Sequence, residues 1–310
     1  MVQPRDLFTT HDVGVEVTLG LHMLGGLSGF TDAGSTISQF SDQIFSNLEH
    51  KLLISFNNDE LLDYRSRRPV MYFEKDHIES YEPAVLGIYL VWDEARQPFL
   101  YLHGYEPDFR WEAFSDAMSL ILDIYAVSDF TWVHAIPFPL PHTRSVGVTV
   151  SGNRKNLIEQ TSEWRPQTQV PGNVLHLLEY RFAAQEIPTA GFVLLVPHYL
   201  AESEYPQAAV VAFEQVTAAT GLVFPMDDLR DEGVRFTAKL EAQVAENDEL
   251  ARMIANLEQG YLNDASGPNQ APIRKPDSKV PNADEIAAEL EDYLASRLKN
   301  SGESTESSEG

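Results

Sequence analysis

The 310-residue sequence predicts an α/β layer fold with a largely parallel central sheet, and two observations carry that expectation. Short runs rich in Val, Ile, Leu and aromatic residues alternate with longer segments whose apolar residues recur at helical spacing. The composition, 43% hydrophobic and 10% aromatic, is also enough to fill a sizeable core.

The elements follow in order. HMLGGLS (22–28) reads as a strand, and STISQFSDQIFSNL (35–48) as a helix with Ile37, Phe40, Ile44, Phe45 and Leu48 on one face. KLLISFN (51–57) is the next strand. AVLGIYLVW (84–92) and PFLYLHGY (98–105) flank the polar DEARQ and read as a hairpin, so some pairing is antiparallel. WEAFSDAMSLILDIYAV (111–127) is a helix, FTWVHAIP (130–137) and RSVGVTVSG (144–152) are strands, and NVLHLLEYRFAAQEI (173–187) is a helix. GFVLLVP (191–197) reads as a buried strand, and PQAAVVAFEQVTAAT (206–220) as a helix stopped by Gly221.

The α/β core is expected over 1–230. An amphipathic helix over 231–262 follows, with Leu240, Val244, Ile254, Leu257 and Tyr261 on a stripe that Asn247 interrupts. It packs on its own domain or on a partner helix, where a polar residue in the seam sets register. Residues 263–281 hold few large apolar groups and read as a linker. Residues 282–299 form a second amphipathic helix, opened by Asn282 and Glu285 in the manner of a capping box, and 300–310 are a Ser/Glu-rich acidic tail.

A net charge of −25 argues against non-specific binding to nucleic acid or anionic membrane. With no cysteine, disulfides, thiolate metal sites and Cys nucleophiles are excluded. The N-terminus lacks the apolar core of a signal peptide, and no stretch reaches the ~18–20 apolar residues of a membrane span, so a cytoplasmic protein is expected. Ser28 lies among glycines without G-x-S-x-G spacing. No Walker lysine and no G-x-G-x-x-G occur, and the nine histidines lack the i, i+4 pairing of a helical zinc site. No catalytic set, cofactor or metal is therefore expected.

Position is what remains. GFTDAG, NDELLDYRSRRP, PLPHTR and PHYL each follow a strand, and residues just after parallel strands collect along one sheet edge. Asp32, Arg65, Arg67, Arg68, His142, Arg144, His198 and Tyr199 form a candidate ligand or partner rim on that reasoning. Each also has a plainer role. Gly29 and Gly34 suit a tight turn, Asp32 or Ser35 can cap a helix, the arginines can be solvated surface, and the histidines can brace loops.

The set GFTDAG, DELLDYRSRRP, PHTRSVGVTVSGN, VPGNVLHLLEYR, VPHYLAESEYPQAA and TGLVFPMDDL resembles the proteasome assembly chaperone 2 family, especially its actinobacterial branch. LEQGYL and DEIAAELEDYLASR resemble that branch's C-terminal helices, so the likeness runs from about residue 20 to residue 299. It implies a three-layer fold similar to purine nucleoside phosphorylases, a mixed sheet flanked by helices with a C-terminal helical extension. It brings no catalytic residues. Eukaryotic members chaperone proteasome α-subunits and archaeal relatives form homo-oligomers. The resemblance thus implies a non-enzymatic assembly or binding factor that self-associates, a trimer being favoured, with a protein partner. One departure stands out: proteasome-docking members end in a hydrophobic–Tyr–any tripeptide, where this sequence has Ser308, Glu309 and Gly310. The competing expectation is an enzyme or sensor for an anionic or nucleoside-like molecule at the rim.

Overall fold

A computed structural model describes residues 3–162, 167 and 169–263. A 3-10 turn at Pro4–Leu7 leads into β1 (Phe8–Thr10), then β2 (His22–Ser28), α1 (Thr36–Asn47), β3 (His50–Phe56) and the single turn α2 (Asn58–Leu61). β4 (Val70–Glu74), β5 (His77–Glu82), β6 (Gly87–Trp92), β7 (Pro98–Tyr105), α3 (Trp111–Tyr125) and β8 (Asp129–Phe138) follow. The chain continues through β9 (Gly147–Gly152), α4 (Lys155–Thr161), α5 (Val174–Ala184), β10 (Thr189–Pro197), α6 (Pro206–Thr220), α7 (Asp227–Glu246) and α8 (Asp248–Asn263).

Eight strands form one mixed sheet in the order β1-β3-β6-β7-β2-β8-β10-β9. Four adjacent strands, β7, β2, β8 and β10, are parallel, and β6, β3 and β1 on one side and β9 on the other pair antiparallel. The sheet is thus parallel only over those four strands, not largely parallel as expected. Apolar periodicity reports which face a residue occupies but not the direction of the neighbouring strand. β10 is covered on both faces, since all nine of its residues are buried.

Helices cover both faces. On one face Ile37, Phe40 and Ile44 of α1 pack with Ala212, Phe213 and Val216 of α6, and Leu229 and Leu240 of α7 extend the same cluster. The Phe40 and Phe213 rings stack with centroids 4.1 Å apart. On the other face Phe114, Met118 and Ile121 of α3 pack with Leu175, Leu178 and Phe182 of α5. This is a three-layer α/β arrangement. Each such buried side chain stabilises the fold by roughly 1.5–3 kcal/mol.

Besides the short elements β1, α2 and α4, two larger parts of the described chain depart from the expected order. The amphipathic stripe expected as one helix over 231–262 is two helices. Asn247 ends α7 in an extended conformation, and its side-chain oxygen accepts the N–H groups of Glu249 and Leu250 at 3.1 Å. Asparagine here competes with the helix backbone and starts the next helix instead of setting a register. The second departure is β4–β5, a two-stranded ribbon separate from the main sheet. The expected linker beyond Asn263, the helix over 282–299 and the tail over 300–310 lie outside the described residues.

Candidate functional site

β3, β7, β2, β8 and β10 all run in one direction, so their C-terminal ends share a single sheet edge. The loops expected to form the rim all leave from that edge.

The loop at 29–35 lies between β2 and α1. Asp32 accepts the N–H of Ile37 at 2.7 Å, the N–H of Ser38 at 3.1 Å and the Ser38 hydroxyl at 2.8 Å. Those N–H groups belong to the first turn of α1, which has no partners of its own for them. Asp32 therefore does the work of the N-cap, while Ser35 sits in the left-handed region at φ 48°. At its other end Gly34 accepts the N–H of Tyr205 at 2.9 Å and donates to the carbonyl of Ala201 at 2.8 Å. Asp32→Ala should lose about 0.5–2 kcal/mol of stability, the usual cost of a missing cap, with no change in secondary structure. Thermal unfolding followed by circular dichroism checks this, and an unchanged midpoint would show that the carboxylate is free for other use.

Gly29 takes φ 127° and leaves a gap that the Arg67 guanidinium fills, so any side chain at 29 would overlap it. Arg67 pairs with Asp108 at 2.6 Å, donates to the carbonyl of Glu106 at 3.1 Å and lies 5.6 Å over the Tyr105 ring. Arg65 and Arg68 are exposed and stand outside this cluster.

A second cluster forms beyond β8 and β10. The Tyr199 hydroxyl lies 2.7 Å from both the backbone nitrogen and Nδ1 of His142, accepting the former's hydrogen. Burial holds the His142 pKa below its ordinary value and raises that of Tyr199. Arg144 donates to Glu258 of α8 through Nε at 3.0 Å and Nη2 at 2.7 Å, and lies 5.2 Å over the Tyr261 ring. Thr143 also hydrogen-bonds Glu258, and these contacts lower the Glu258 pKa. His198 is exposed and meets Tyr199 edge to face at 5.5 Å. Beside this cluster a groove of about 690 Å³ runs between the His142–Val146 segment, α6 and α7. The rim residues thus fall into two groups, with the 29–35 loop between them.

Sequence reasoning did not single out a third group, on the sheet face covered by α5. His134 of β8 is only 2% exposed, stacks on Phe30 at 5.5 Å, and its Nε2 has no hydrogen-bond partner among the described residues. Burial, with His176 nearby, pushes its pKa down to about 4. His176 accepts the Asn173 backbone N–H at Nδ1, 3.2 Å away, while its backbone N–H donates to Asn173 Oδ1 at 2.9 Å. Glu179 accepts from Trp132 Nε1 at 2.9 Å and from the Ser151 hydroxyl at 2.8 Å, and burial raises its pKa. Glu106 accepts the N–H of Val174 at the start of α5 at 2.7 Å, and burial raises its pKa too. The available signal was the alternation WVHA, which puts His134 on the same face as Trp132.

With this geometry in place, the comparisons with known proteins are specific. A model of the PAC2 family matches residues 26–244. A Corynebacterium glutamicum protein of unknown function is 32% identical, with 83% of this chain and 97% of that one covered at a TM-score of 0.79. A Mycobacterium tuberculosis protein of unknown function is 34% identical over 84% of this chain and 90% of that one, at a TM-score of 0.76. A M. tuberculosis proteasome-assembly chaperone homologue shares the fold at 19% identity, covering 76% of this chain and 100% of that one at a TM-score of 0.68. No functionally curated protein matches the chain.

Proposed function

Because the chain belongs to the PAC2 family, we propose that it is a protein-binding factor of the assembly-chaperone kind, acting in the cytoplasm, with the strand-end rim as its partner surface. One observation carries this reading. The rim's central charges are already matched within the chain: Arg67 by Asp108, Arg144 by Glu258, and Asp32 by the first turn of α1. A small anion would have to displace a carboxylate at either arginine, and breaking such a pair is costly where it is partly buried. What faces outward is Phe30, Arg65, Arg68 and His198, a mixed apolar and basic set suited to a protein surface. The chaperone homologue with the same fold adds support by analogy.

Native pull-down of the full chain should recover one or a few stoichiometric partners. Arg65→Glu with Arg68→Glu should release them without lowering the melting temperature. Recovery of the chain alone, across salt and nucleotide conditions, overturns the reading. The groove of about 690 Å³ beside His142 and Arg144 favours a second reading, an enzyme or small-molecule sensor. Thermal-shift measurements with phosphate, nucleosides and nucleotides separate the two, since a ligand at ~100 times its dissociation constant adds about 2.7 kcal/mol.

A further inference from the structure

The helices α7 and α8 are held to the body in different ways. α7 is anchored by the buried Leu229, Gly233 and Leu240. Asn247 then breaks the helix with an extended backbone, φ −128° and ψ 99°. No residue of α8 belongs to either apolar cluster, and Ile254 is its one buried side chain over 248–261. What fixes its far end is polar. Glu258 accepts two hydrogen bonds from the Arg144 guanidinium, at 3.0 and 2.7 Å, and a third from the Thr143 hydroxyl. Three residues on, the Tyr261 ring lies 5.2 Å from the same guanidinium. Residues three apart share a helix face, so α8 presents a carboxylate and an aromatic ring together to one arginine.

A forked carboxylate pair with an aromatic ring on the guanidinium is a mode of recognition that arginine serves at interfaces. Here it is satisfied within the chain, by a helix that little else holds. The pair stays in reach of solvent, with its side chains 38% and 24% exposed. Gly260, between the two contacts, has open space where a side chain would be and weakens the helix itself. We propose that Thr143 and Arg144 form a docking site for a helix of a partner protein, and that α8 fills it in cis as the partner's internal competitor. The occupant's chemistry follows from the segment that already fits. It carries a carboxylate, an aromatic residue three positions later and an apolar residue four positions earlier, as Glu258, Tyr261 and Ile254 do. A lone carboxylate replaces only the ion pair. Such a helix replaces pair and ring in one step and leaves no unpaired charge at Arg144.

This inference rests on the reading of the rim as a partner surface and names the partner's chemistry. The probe is the chain's own segment as a fluorescein-labelled peptide, DELARMIANLEQGY (248–261), titrated with the full chain and followed by fluorescence anisotropy. A tethered segment competes at an effective concentration on the order of mM, so α8 in cis should hold down the wild type's apparent affinity. The full chain with Glu258→Gln and Tyr261→Ala should bind the peptide at least about tenfold more tightly than wild type. Its melting temperature should stay close to wild type, because α8 contributes to neither apolar cluster. Adding Arg144→Ala to this opened chain should abolish binding. A peptide that itself carries Glu258→Gln and Tyr261→Ala should not bind, and that change cannot disturb the fold of the chain. No binding to the opened chain, equal affinity for it and wild type, or binding that survives either loss overturns the proposal. So does displacement by sodium acetate at the concentration at which unlabelled peptide displaces the probe, since the site would then read a lone carboxylate. If partners recovered by pull-down depend on Arg65 and Arg68 while the peptide fails, this inference falls and the reading beneath it stands. Peptide binding by a chain that recovers no partner supports the site and removes that reading.

Discussion

Gly191→Val is expected to abolish the soluble folded protein, and even Gly191→Ala should be severely destabilised. The six-membered ring of Trp132 lies across Gly191, and a Cβ at that position would fall inside contact distance of Cε2, Cζ2 and Nε1 of the indole. A Cβ at Gly25 on the other neighbouring strand would come within 3.3 Å of Trp132 Cβ and 2.9 Å of the Phe130 ring, so glycines flank Trp132 on both sides of β8. It has no room to yield. Its Nε1 donates to Glu179 at 2.9 Å and its ring meets His176 edge to face at 5.0 Å. Ordinary overpacking costs ~1–3 kcal/mol, and a direct overlap with a pinned, fully buried ring should exceed it. Set against the ~5–15 kcal/mol that holds a domain together, that loss is large.

The reverse substitution is informative for the same reason. Trp132→Ala should cost about 3–5 kcal/mol by opening a cavity, and it also removes one of the donors that satisfy the half-buried Glu179. Adding Trp132→Phe to Gly191→Ala should recover part of the loss, because the smaller ring withdraws from the new methyl group. Urea unfolding of the two single variants and the double variant measures this coupling. A Gly191→Ala midpoint equal to wild type would show that the indole moves freely, and the packing account would fail.

The same residues show how far a sequence can be read. The runs at 22–28, 98–105 and 191–197 were legible as strands because their length and apolar content leave little else for them to be. The ribbon at 70–82 was not, because both of its faces are in solvent and burial is the signal that periodicity detects. Asn247 interrupted a stripe whose phase continues on its far side, so only its backbone shows that a helix ends there. At the edge of the sheet, position after a strand was enough to expect Asp32, Arg67, His142, Arg144 and Tyr199 on loops leaving one edge, but not that Arg67 and the His142–Arg144–Tyr199 set form separate groups there. The partners that define them were not legible. Asp108 is 41 residues from Arg67, and Glu258 is 114 residues from Arg144. Contacts of that range depend on how layers stack, which no local pattern encodes. His134 was hidden differently, as a polar residue inside a strand that otherwise reads as core.

That histidine should make the protein acid-sensitive, and His134→Phe should remove part of the sensitivity. In the unfolded chain the imidazole titrates near 6.5, whereas in the folded chain burial holds it neutral down to about 4. Between those values the unfolded state binds the extra proton, so stability rises with pH there and is lost as pH falls through the window. The loss is on the order of 2 kcal/mol at pH 5 and about 3 kcal/mol once pH reaches 4. His103, also pushed down to about 4 by burial, acts in the same direction. Glu106 and Glu179 act against both, since their raised pKa values mean that the folded state holds protons more tightly as pH falls. The net slope for the wild type is therefore a mixture, but the difference between wild type and His134→Phe reports this imidazole together with its effect on neighbouring His176. Phenylalanine keeps a flat ring against Phe30 and removes the orphaned Nε2, so the variant should lie within ~1.5 kcal/mol of wild type at pH 8. Denaturant unfolding at half-unit steps from pH 8 to pH 4 should show the variant gaining on wild type below pH 6.5. Parallel curves over that range would mean that the folded protein protonates His134 as readily as the unfolded chain does. The imidazole would then have access to water, and the face of the sheet beneath α5 would be an open site instead of part of the core.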